Sequence, residues 1–379
     1  MTPEVFAAPR PGAVAGCGAR DQNRAALAAL LDCLTRGLPL HASMDGIRAG
    51  QGPGGWLSCQ SSGSGGRVKT IRRSHASWIA SFMVSRDSFG LGPQDHYGVL
   101  GQLGHSLALY ASIEALHLGA GLSVLAGDGP RQQIRQLAGS GISVIYATPS
   151  QLRRLALAGP ARLPAVRQVF SGGGKLDPAC RAGVAALCPN ARIREFYGAS
   201  ETSFIAMADD TTPEGAVGRA YPGVSLRLDD QGRIGVASPY LFDGYAEADL
   251  TPPPVRDGHL FTGDIGRLDA AGHLFLRGRE SRMVTVADRN LFLEDVETAL
   301  LAAGAAACAV LAVPDAARGH AVVAVIEGAP DDALAARLRR ACRVALGDHA
   351  APRRILFVAR LPVLGSDKPD LAALARLIA

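Results

Sequence analysis

The stretch Ser61-Ser62-Gly63-Ser64-Gly65-Gly66-Arg67-Val68-Lys69 decides how the rest of the chain is interpreted. Small hydroxyl residues and glycines before a lysine are typical of a loop that wraps phosphate. Glycines let backbone N–H groups approach an anion, hydroxyls add hydrogen-bond donors, and the lysine adds a positive charge. The order differs from the G-x-x-x-x-G-K-[ST] pattern, which disfavours a P-loop NTPase. A flexible Gly/Ser linker has a similar composition, so both interpretations stay open on this stretch alone.

The composition describes a globular protein with more than one structural unit. Its 379 residues exceed a typical single domain, and 48% hydrophobic with 19% charged residues excludes a disordered chain. The formal net charge of +5 comes from 39 basic and 34 acidic residues scattered along the chain. The locally basic segments 131–135 and 339–343 are better explained as charged helix faces than as a basic stripe with aromatic residues. We therefore expect no nucleic-acid partner.

The cysteines and the apolar segments predict a cytoplasmic protein without a membrane span. The seven cysteines are widely separated and contain no C-x-x-C pair, which indicates neither a disulfide framework nor a zinc site. The N-terminus lacks the apolar segment of a secretory signal. The most apolar run, 299–313, is interrupted by Gly304 and is too short to cross a bilayer.

Alternating helical and β-branched segments predict an α/β fold with a mostly parallel sheet covered by helices. Residues 1–19 are rich in Pro, Gly and Ala and are expected to be irregular, and 97–105 is expected to be a loop. The predicted helices are 23–34, 106–117, 131–138, 151–157 and 178–187, and the predicted strands are 56–59, 122–125, 144–147, 166–171 and 193–197. Beyond Gly218, short strands and turns predict a small β-rich subdomain of antiparallel hairpins. The last hundred residues predict a separate small α+β unit around 310–313, 321–326, 334–346 and 355–358.

Glycine-rich loops follow several predicted strands, where ligands bind in open α/β sheets. Ser171-Gly172-Gly173-Gly174 ends one strand, and Tyr197-Gly198-Ala199-Ser200-Glu201-Thr202 ends the next. Such loops are either plain tight turns or sites where a carboxylate and hydroxyls hold Mg²⁺ and phosphate. Asp264 in Thr262-Gly263-Asp264 is either part of a hairpin or a ligand of a ribose diol. Lys368, taken alone, is a solvated charge.

Taken together and in this order, these segments resemble the adenylate-forming superfamily of acyl- and aryl-CoA ligases, firefly luciferases and peptide-synthetase adenylation domains. The first segment is similar to the family's [ST]-S-G-[ST]-[ST]-G-x-P-K phosphate loop, with Gly65 at a hydroxyl position and Val68 where proline is usual. The other segments that carry the resemblance are Ser171 to Leu176, Tyr197 to Glu201, Phe261 to Asp264, Gly278 to Glu297, and Lys368.

The resemblance implies two half-reactions. A carboxylate attacks the α-phosphate of MgATP to give acyl-adenylate and pyrophosphate, and a thiol then takes the acyl group. It also implies a large ATP- and acid-binding adenylation domain over 1–280 and a small mobile C-terminal lid domain over 281–379, with a hinge at Ser281. The N-terminal part is expected to be shortened, because only 60 residues precede the phosphate loop.

The resemblance also assigns roles to individual residues. Lys368 would bridge the carboxylate and the α-phosphate in the transition state, and Glu201 would hold Mg²⁺. The remaining implied ATP contacts are Ser61, Ser62, Gly63, Ser64, Gly65, Gly66 and Lys69 at the β and γ phosphates; Ser200 near the α-phosphate; Gly173, Gly174, Tyr197, Gly198 and Ala199 around the adenine; and Asp264 with Arg279 at the ribose.

The acid pocket implied by the resemblance contains His105, Ser106 and Gly172. A core histidine is the plain alternative for His105. No aspartate suited to an α-amine follows Tyr197 or occurs in the pocket segment, so a simple acid is favoured over an amino acid. The Gly104-His105-Ser106-Leu107 pattern is similar to compact bacterial 4-coumarate:CoA ligases of the photoactive yellow protein type. The resulting prediction is a ligase that joins an aromatic, 4-coumarate-like acid to CoA.

Two alternatives remain at the level of sequence. One is an adenylating enzyme that loads the phosphopantetheine of an acyl carrier protein, and the other is a catalytically silent nucleotide-binding homologue. Thr285 and Asp288 stand where lysine and glycine are usual in the hinge segment. That glycine normally lets the backbone approach the pantetheine thiol, so Asp288 bears directly on the choice of acceptor.

Overall fold

The computed structural model describes residues 4–18, 21–61, 68–364 and 369–378. A mostly parallel sheet forms the centre of the larger part of the molecule. Its strands, in order across the sheet, are β1 (Val14–Cys17), β7 (Gly121–Val124), β6 (His96–Val99), β8 (Val144–Ala147), β9 (Gln168–Gly172), β10 (Arg192–Ala199), β11 (Ser203–Ala208) and β12 (Arg219–Ala220). Neighbours from β1 to β10 are parallel, and β11 and β12 are antiparallel.

Helices cover both faces of this sheet, which confirms the predicted α/β fold. One face packs against α1 (Asp21–Thr35), α2 (His75–Phe89) and α3 (Ser106–His117). The other face packs against α4 (Pro130–Gly139), α5 (Pro149–Ala156) and α6 (Pro178–Leu187). Thr148 begins α5 with a capping box to Gln151, and Asp177 caps α6 through the backbone N–H of Cys180.

Two expectations about this sheet were wrong. Residues 14–17 are not irregular, because β1 pairs with β7 at the edge of the sheet. Residues 96–99 are not a loop, because β6 lies between β7 and β8. A Cβ at Gly98 would lie 2.7 Å from the Leu137 side chain. The glycine in this strand therefore allows close packing against α4, a contact that the local sequence pattern does not indicate.

Two smaller sheets complete the larger part. The first has the order β15 (Gly244–Tyr245), β5 (Lys69–Ser74), β4 (Trp56–Ser61), β2 (Leu40–Ser43) and β3 (Gly46–Ala49). The second is antiparallel, as predicted, and contains β13 (Ser225–Leu228), β14 (Arg233–Ala237), β17 (His259–Leu268), β16 (Val255–Arg256) and β18 (Leu274–Arg279). Ser61 lies opposite Lys69 in the β4–β5 hairpin, so the ends of the predicted phosphate loop are adjacent.

The C-terminal part has its own hydrophobic core and the predicted α+β character. A short 3₁₀ helix, Glu280–Arg282, leads into it, and a second covers Asp348–Ala350. Its other elements are β19 (Met283–Val286), β20 (Arg289–Phe292), α7 (Leu293–Ala302), β21 (Cys308–Asp315), β22 (Gly319–Glu327), α8 (Asp332–Leu346), β23 (Arg354–Val358) and α9 (Leu371–Ile378). The domain boundary at 280/281 stays a prediction. None of the helices in the described ranges combines the length and the apolar character needed to cross a membrane.

Candidate active site

The turn between β10 and β11 lies at the C-terminal edge of the parallel strands. A Cβ at Gly198 would lie 2.0 Å from the carbonyl oxygen of Ser203, so only glycine fits there. Ser203 itself has φ +56°, in the left-handed region that non-glycine residues rarely adopt. The turn holds Ser200 and Glu201, and the neighbouring strand β9 ends at Gly172. Two of the predicted glycine loops therefore end adjacent strands at the same edge of the sheet.

A chain of hydrogen bonds joins this turn to the start of β5. Lys69 Nζ donates to the hydroxyl oxygen of Tyr245 at 3.3 Å, and that hydroxyl donates to Glu201 Oε1 at 2.8 Å. Burial, followed by the negative charge of Glu201, raises the pKa of Tyr245, so the phenol stays protonated as the donor. Lys69 also lies 4.9 Å from the centroid of the Tyr245 ring. The structure thus links Lys69 and Glu201, both predicted to contact ATP or its metal, through a residue that the sequence analysis missed.

A second charged group lies at the other predicted ATP contacts. Arg279 Nε donates to Asp264 Oδ1 at 2.9 Å, and the Tyr197 hydroxyl donates to Asp264 Oδ2 at 2.5 Å. Register in the β17–β18 pair places Asp264 opposite Arg279. Asp264 is 6% exposed, and burial, followed by the charge of Asp264, raises the pKa of Tyr197. The predicted ribose pair and an adenine-side tyrosine are therefore in direct contact.

The glycines after β9 differ in the space beside them. A Cβ at Gly173 or Gly174 would have its nearest neighbour 3.9 or 3.7 Å away, which is an ordinary van der Waals contact. Gly172 is different, because a Cβ there would lie 2.2 Å from Cζ of Phe196. The Phe196 ring covers Gly172 and packs edge-to-face on Phe204, with the ring centroids 4.7 Å apart.

The other predicted pocket residues lie at the start of α3. His105 is the N-cap residue of this helix, and its carbonyl accepts from the backbone N–H of Leu109 at 2.9 Å. Ser106 hydrogen-bonds the thiol of Cys59, a fully buried group whose pKa is raised by burial. The N-terminus of α3 therefore approaches strand β4 of the sheet that bears the predicted phosphate loop.

Several predicted residues lie outside the described residues, and others were missed. Ser62, Gly63, Ser64, Gly65, Gly66 and Lys368 belong to the first group. Ser281 lies in the 3₁₀ helix before the C-terminal part. Within the ranges that the structure covers, no group of three or more His, Cys, Asp and Glu side chains is arranged to hold a metal.

The missed residues are Phe196, Tyr245 and Arg73, whose guanidinium donates to the carbonyl of Ser200 at 2.5 Å. Arg73 and Tyr245 lie in a sheet whose strands are far apart in sequence, so local patterns gave no signal for their contacts. Phe196 directly precedes Tyr197, one position outside the segment that the resemblance singled out.

The family described as AMP-binding enzyme matches residues 58–246, and the AMP-binding enzyme C-terminal domain matches 295–368. The chain belongs to the AMP-binding enzyme family. This result confirms the resemblance to the adenylate-forming superfamily and covers both parts of the fold.

Several relatives of this AMP-binding enzyme have names. The uncharacterized acyl-CoA ligase YhfT of Bacillus subtilis is 30% identical over 322 residues, which cover 81% of this chain and 65% of the relative. The 3-hydroxybenzoate–CoA ligase of Aromatoleum sp. is 26% identical over 344 residues, covering 84% of this chain and 65% of the relative. The chain thus spans slightly less than two thirds of the length of either relative.

Solved structures agree on the fold. The amide bond synthetase McbA of Marinactinospora thermotolerans is 26% identical with a TM-score of 0.73, covering 88% of this chain and 72% of that chain. The o-succinylbenzoate CoA synthetase of Bacillus subtilis, at 21% identity, has a TM-score of 0.75 and covers 84% of this chain and 68% of that chain. At this identity the second likeness concerns the fold alone.

Proposed function

We propose that this chain is an AMP-forming acid–thiol ligase. The acid's carboxylate oxygen attacks the α-phosphorus of ATP and displaces pyrophosphate, and the thiol sulfur of CoA then attacks the acyl carbon and displaces AMP. The observation that carries the proposal is that β10 and the turn after it bear two hydrogen-bonded charged groups: Lys69–Tyr245–Glu201 is joined to the turn through Glu201, and Tyr197–Asp264–Arg279 is joined to β10 through Tyr197. Attack of one anion on another requires such cations and donors to offset the repulsion.

The phosphate side of the proposed site fits a magnesium nucleotide. The Glu201 carboxylate and the Ser200 hydroxyl offer the hard oxygen ligands that Mg²⁺ prefers, with phosphate oxygens and water completing its shell. Bound there, Mg²⁺ would neutralise part of the negative charge on the phosphates. Lys69 supplies a further positive charge, and Tyr245 fixes its direction toward Glu201.

The adenosine side fits a ribose and a flat base. Asp264 has carboxylate oxygens that accept hydrogen bonds, and Arg279 and Tyr197 hold that carboxylate in one orientation. Gly173 and Gly174 carry no side chain, so the adenine would pack against bare backbone there. We expect Gly198 and Ala199 to complete this wall.

For the acid, we propose an aromatic substrate between His105, Ser106 and Gly172. Within this class we propose a 4-coumarate-like acid. The Phe196 ring lies against Gly172 and fills the space beside it. We propose that this ring limits the size of the acid and favours a compact aromatic acid. The name of the 3-hydroxybenzoate–CoA ligase relative supports the same class.

For the acceptor, we propose free CoA, with an acyl carrier protein as the alternative. Most of the named relatives are CoA ligases. We further propose a cytoplasmic location. All seven cysteines are free thiols, as expected in a reducing compartment.

Acid-dependent exchange of radiolabelled pyrophosphate into ATP tests the adenylation step directly. The panel contains 4-coumarate, 3-hydroxybenzoate, amino acids and long fatty acids, and we expect the aromatic acids to give the fastest exchange. Exchange driven best by an amino acid would overturn the substrate class. Absence of exchange with every acid would favour the silent homologue instead.

The variant Lys368→Ala separates the two half-reactions. Adenylation should fall by about two to three orders of magnitude, as when a preorganised donor is removed from a site of developing charge. Thioester formation from synthetic acyl-adenylate and CoA should stay near the wild-type rate. Equal loss in both steps with the fold intact would contradict the proposed role of this lysine.

A further inference from the structure

Arg73 is a buried cation that binds both ends of the turn after β10. It is 1% exposed. Its guanidinium donates from Nη2 to the carbonyl of Ser200 at 2.5 Å, and from Nη1 to the hydroxyl of Ser203 at 2.8 Å and the carbonyl of Tyr240 at 3.2 Å. A longer bond of 3.4 Å reaches the hydroxyl of Ser77. The guanidinium group of Arg73 thus joins the turn to α2 and to the segment before β15.

The surroundings of Arg73 make its burial unfavourable for the stability of the fold. Within the described ranges, every hydrogen-bond partner of its guanidinium is a neutral oxygen, and its Nε is buried without a partner. Burial lowers the pKa of Arg73, and nearby charges, among them Asp243 and Glu201, offset this only in part. A buried charge without a paired counter-ion is unfavourable, and an apolar side chain of similar volume would often be tolerated better.

The position of Arg73 on its strand directs it at the proposed site. Side chains alternate along β5, so Arg73 shares a face with Lys69, and Arg72 lies on the other face. Arg72 is exposed and lies 5.7 Å from the ring of Trp56. Lys69 reaches the turn through Tyr245, and Arg73 reaches it through Ser200. Strand β5 therefore contacts the turn at two separated points.

We propose that Arg73 is a positioning residue for adenylation: it fixes the Ser200–Ser203 turn so that the Ser200 hydroxyl and the Glu201 carboxylate are preorganised for the magnesium nucleotide. The proposal rests on the function proposed above. It explains why Ser203 keeps a left-handed backbone, because its hydroxyl is bound by Arg73 in that conformation. A turn that is fixed before the substrate binds avoids reorganisation during the reaction.

The test compares Arg73→Met, Arg73→Lys and the matched control Arg72→Met in pyrophosphate exchange. For Arg73→Met we expect kcat to fall about a hundredfold, as for a misplaced catalytic group, with the KM for the acid unchanged. Arg73→Lys should restore little, because an ammonium cannot span the separate acceptors that the guanidinium fork joins. Arg72→Met should behave as wild type. Full activity in Arg73→Met, or full rescue by lysine, would overturn the positioning role.

A double-mutant cycle tests whether Arg73 and Ser203 are energetically coupled. Ser203→Ala removes one of the bonds to Arg73 and should lower kcat less than Arg73→Met does. If Arg73 acts through this turn, the double variant should be no slower than Arg73→Met alone. Additive losses would contradict the proposal.

Hydrogen exchange of the ligand-free protein tests the same inference without any activity. Backbone amides of 199–203 should exchange faster in Arg73→Met than in wild type, while the amides of β8 and β9 are unchanged. Unchanged exchange across the turn would sink the inference even if the wild type adenylates acids. Faster exchange of these amides in Arg73→Met, together with a wild type that adenylates no acid, would support the role of Arg73 in fixing the turn and reject the proposed function.

Discussion

Arg73 and Glu114 are both buried ionisable residues whose hydrogen-bond partners are neutral. They differ in whether the side chain stays charged. Glu114 on α3 accepts hydrogen bonds from three phenols, with Tyr97 and Tyr146 bonding Oε2 at 3.2 and 2.7 Å and Tyr110 bonding Oε1 at 3.2 Å. Burial raises the pKa of Glu114 to about 7. A carboxylate can escape the penalty of burial by binding a proton, whereas a guanidinium cannot lose its own. Glu114 is therefore neutral below about pH 7 inside the core, whereas Arg73 remains a cation beside the turn.

Arg282, which is partly buried, shows the usual arrangement of a charge with its counter-ions. Arg282 binds Glu297 with Nη1 and Nη2 at 3.2 and 2.7 Å and lies 3.4 Å from Glu294. Burial alone would lower the pKa of Arg282, but the hydrogen bond and charge of Glu297, with the charge of Glu294, raise it. Charge that is matched in this way stabilises the fold, whereas the guanidinium of Arg73 donates to neutral oxygens of Ser200 and Ser203 and so fixes the turn after β10.

The largest expected effect concerns Arg282 and the two carboxylates that it binds. Arg282→Met should destabilise the C-terminal part by about 3–5 kcal/mol, because it leaves two mostly buried carboxylates without their cation. Urea denaturation followed by a probe in that part measures the change. The control Arg340→Met alters an exposed arginine on α8 and should change stability by less than about 0.5 kcal/mol.

If Arg282→Met were as stable as the control, the matched charge would contribute nothing to the fold. An arginine with carboxylate partners would then contribute no more to stability than an exposed one.

A somewhat smaller effect is expected from pH. The pKa of Glu114 rises from 4.5 in the unfolded chain to about 7 in the folded protein, so between these values only the unfolded chain releases the proton. Its contribution to stability is therefore full below about pH 4.5 and falls by about 3 kcal/mol as the pH rises to 7. Glu114→Gln, which cannot ionise, should lack this loss.

The measurement is the difference between the two proteins, from denaturation curves at pH 5 and pH 8. His75 gives the opposite slope in wild type and variant alike, because burial lowers its pKa from 6.5 to about 4. The difference cancels that slope. Parallel pH profiles of wild type and Glu114→Gln would show that Glu114 does not titrate in this range.

The contrast between these charges also shows what the sequence could and could not reveal. Helix α3 and strand β8 have the predicted bounds, because their apolar residues alone specify them. The resemblance assigned Asp264 and Arg279 to the same ribose, and the structure brings their side chains into contact. Arg73 gave no such signal, since two successive arginines suggest solvated charge. Its bond to Ser203 joins residues 130 positions apart, and only the folded sheet brings them together.

A moderate effect on activity is expected at Glu201, whose carboxylate lies in the turn that Arg73 binds. Glu201→Gln keeps the acceptor for the Tyr245 hydroxyl but removes the charge that would hold Mg²⁺. Adenylation should fall more than about tenfold, which corresponds to about 1.4 kcal/mol of transition-state stabilisation. The control Glu214→Gln changes an exposed carboxylate and should leave exchange unaffected. Wild-type rates in Glu201→Gln at all Mg²⁺ concentrations would remove Glu201 from the site.

The smallest expected effect lies in the C-terminal part, where the strain is in the backbone rather than in a charge. Ala287 and Asp288 form the two-residue loop between β19 and β20 with φ +49° and +60°, a hairpin turn that favours glycine at its second position. Asp288→Gly should therefore stabilise this part by about 1 kcal/mol. Thermal denaturation measures the gain, and Asp288→Ala, which removes the charge but keeps the Cβ, should show none.

The same two variants bear on the acceptor. If free CoA is used, thioester formation in Asp288→Gly should be unchanged or faster, and a gain shared by Asp288→Ala would assign the effect to the carboxylate rather than to the backbone. If a phosphopantetheinylated carrier protein is the acceptor, CoA should be a poor substrate in every variant. Adenylation should be equal in all three proteins, because the turn that Arg73 binds lies in the other part of the chain. A change in pyrophosphate exchange on replacing Asp288 would show that the hairpin acts on the first half-reaction and would contradict this separation.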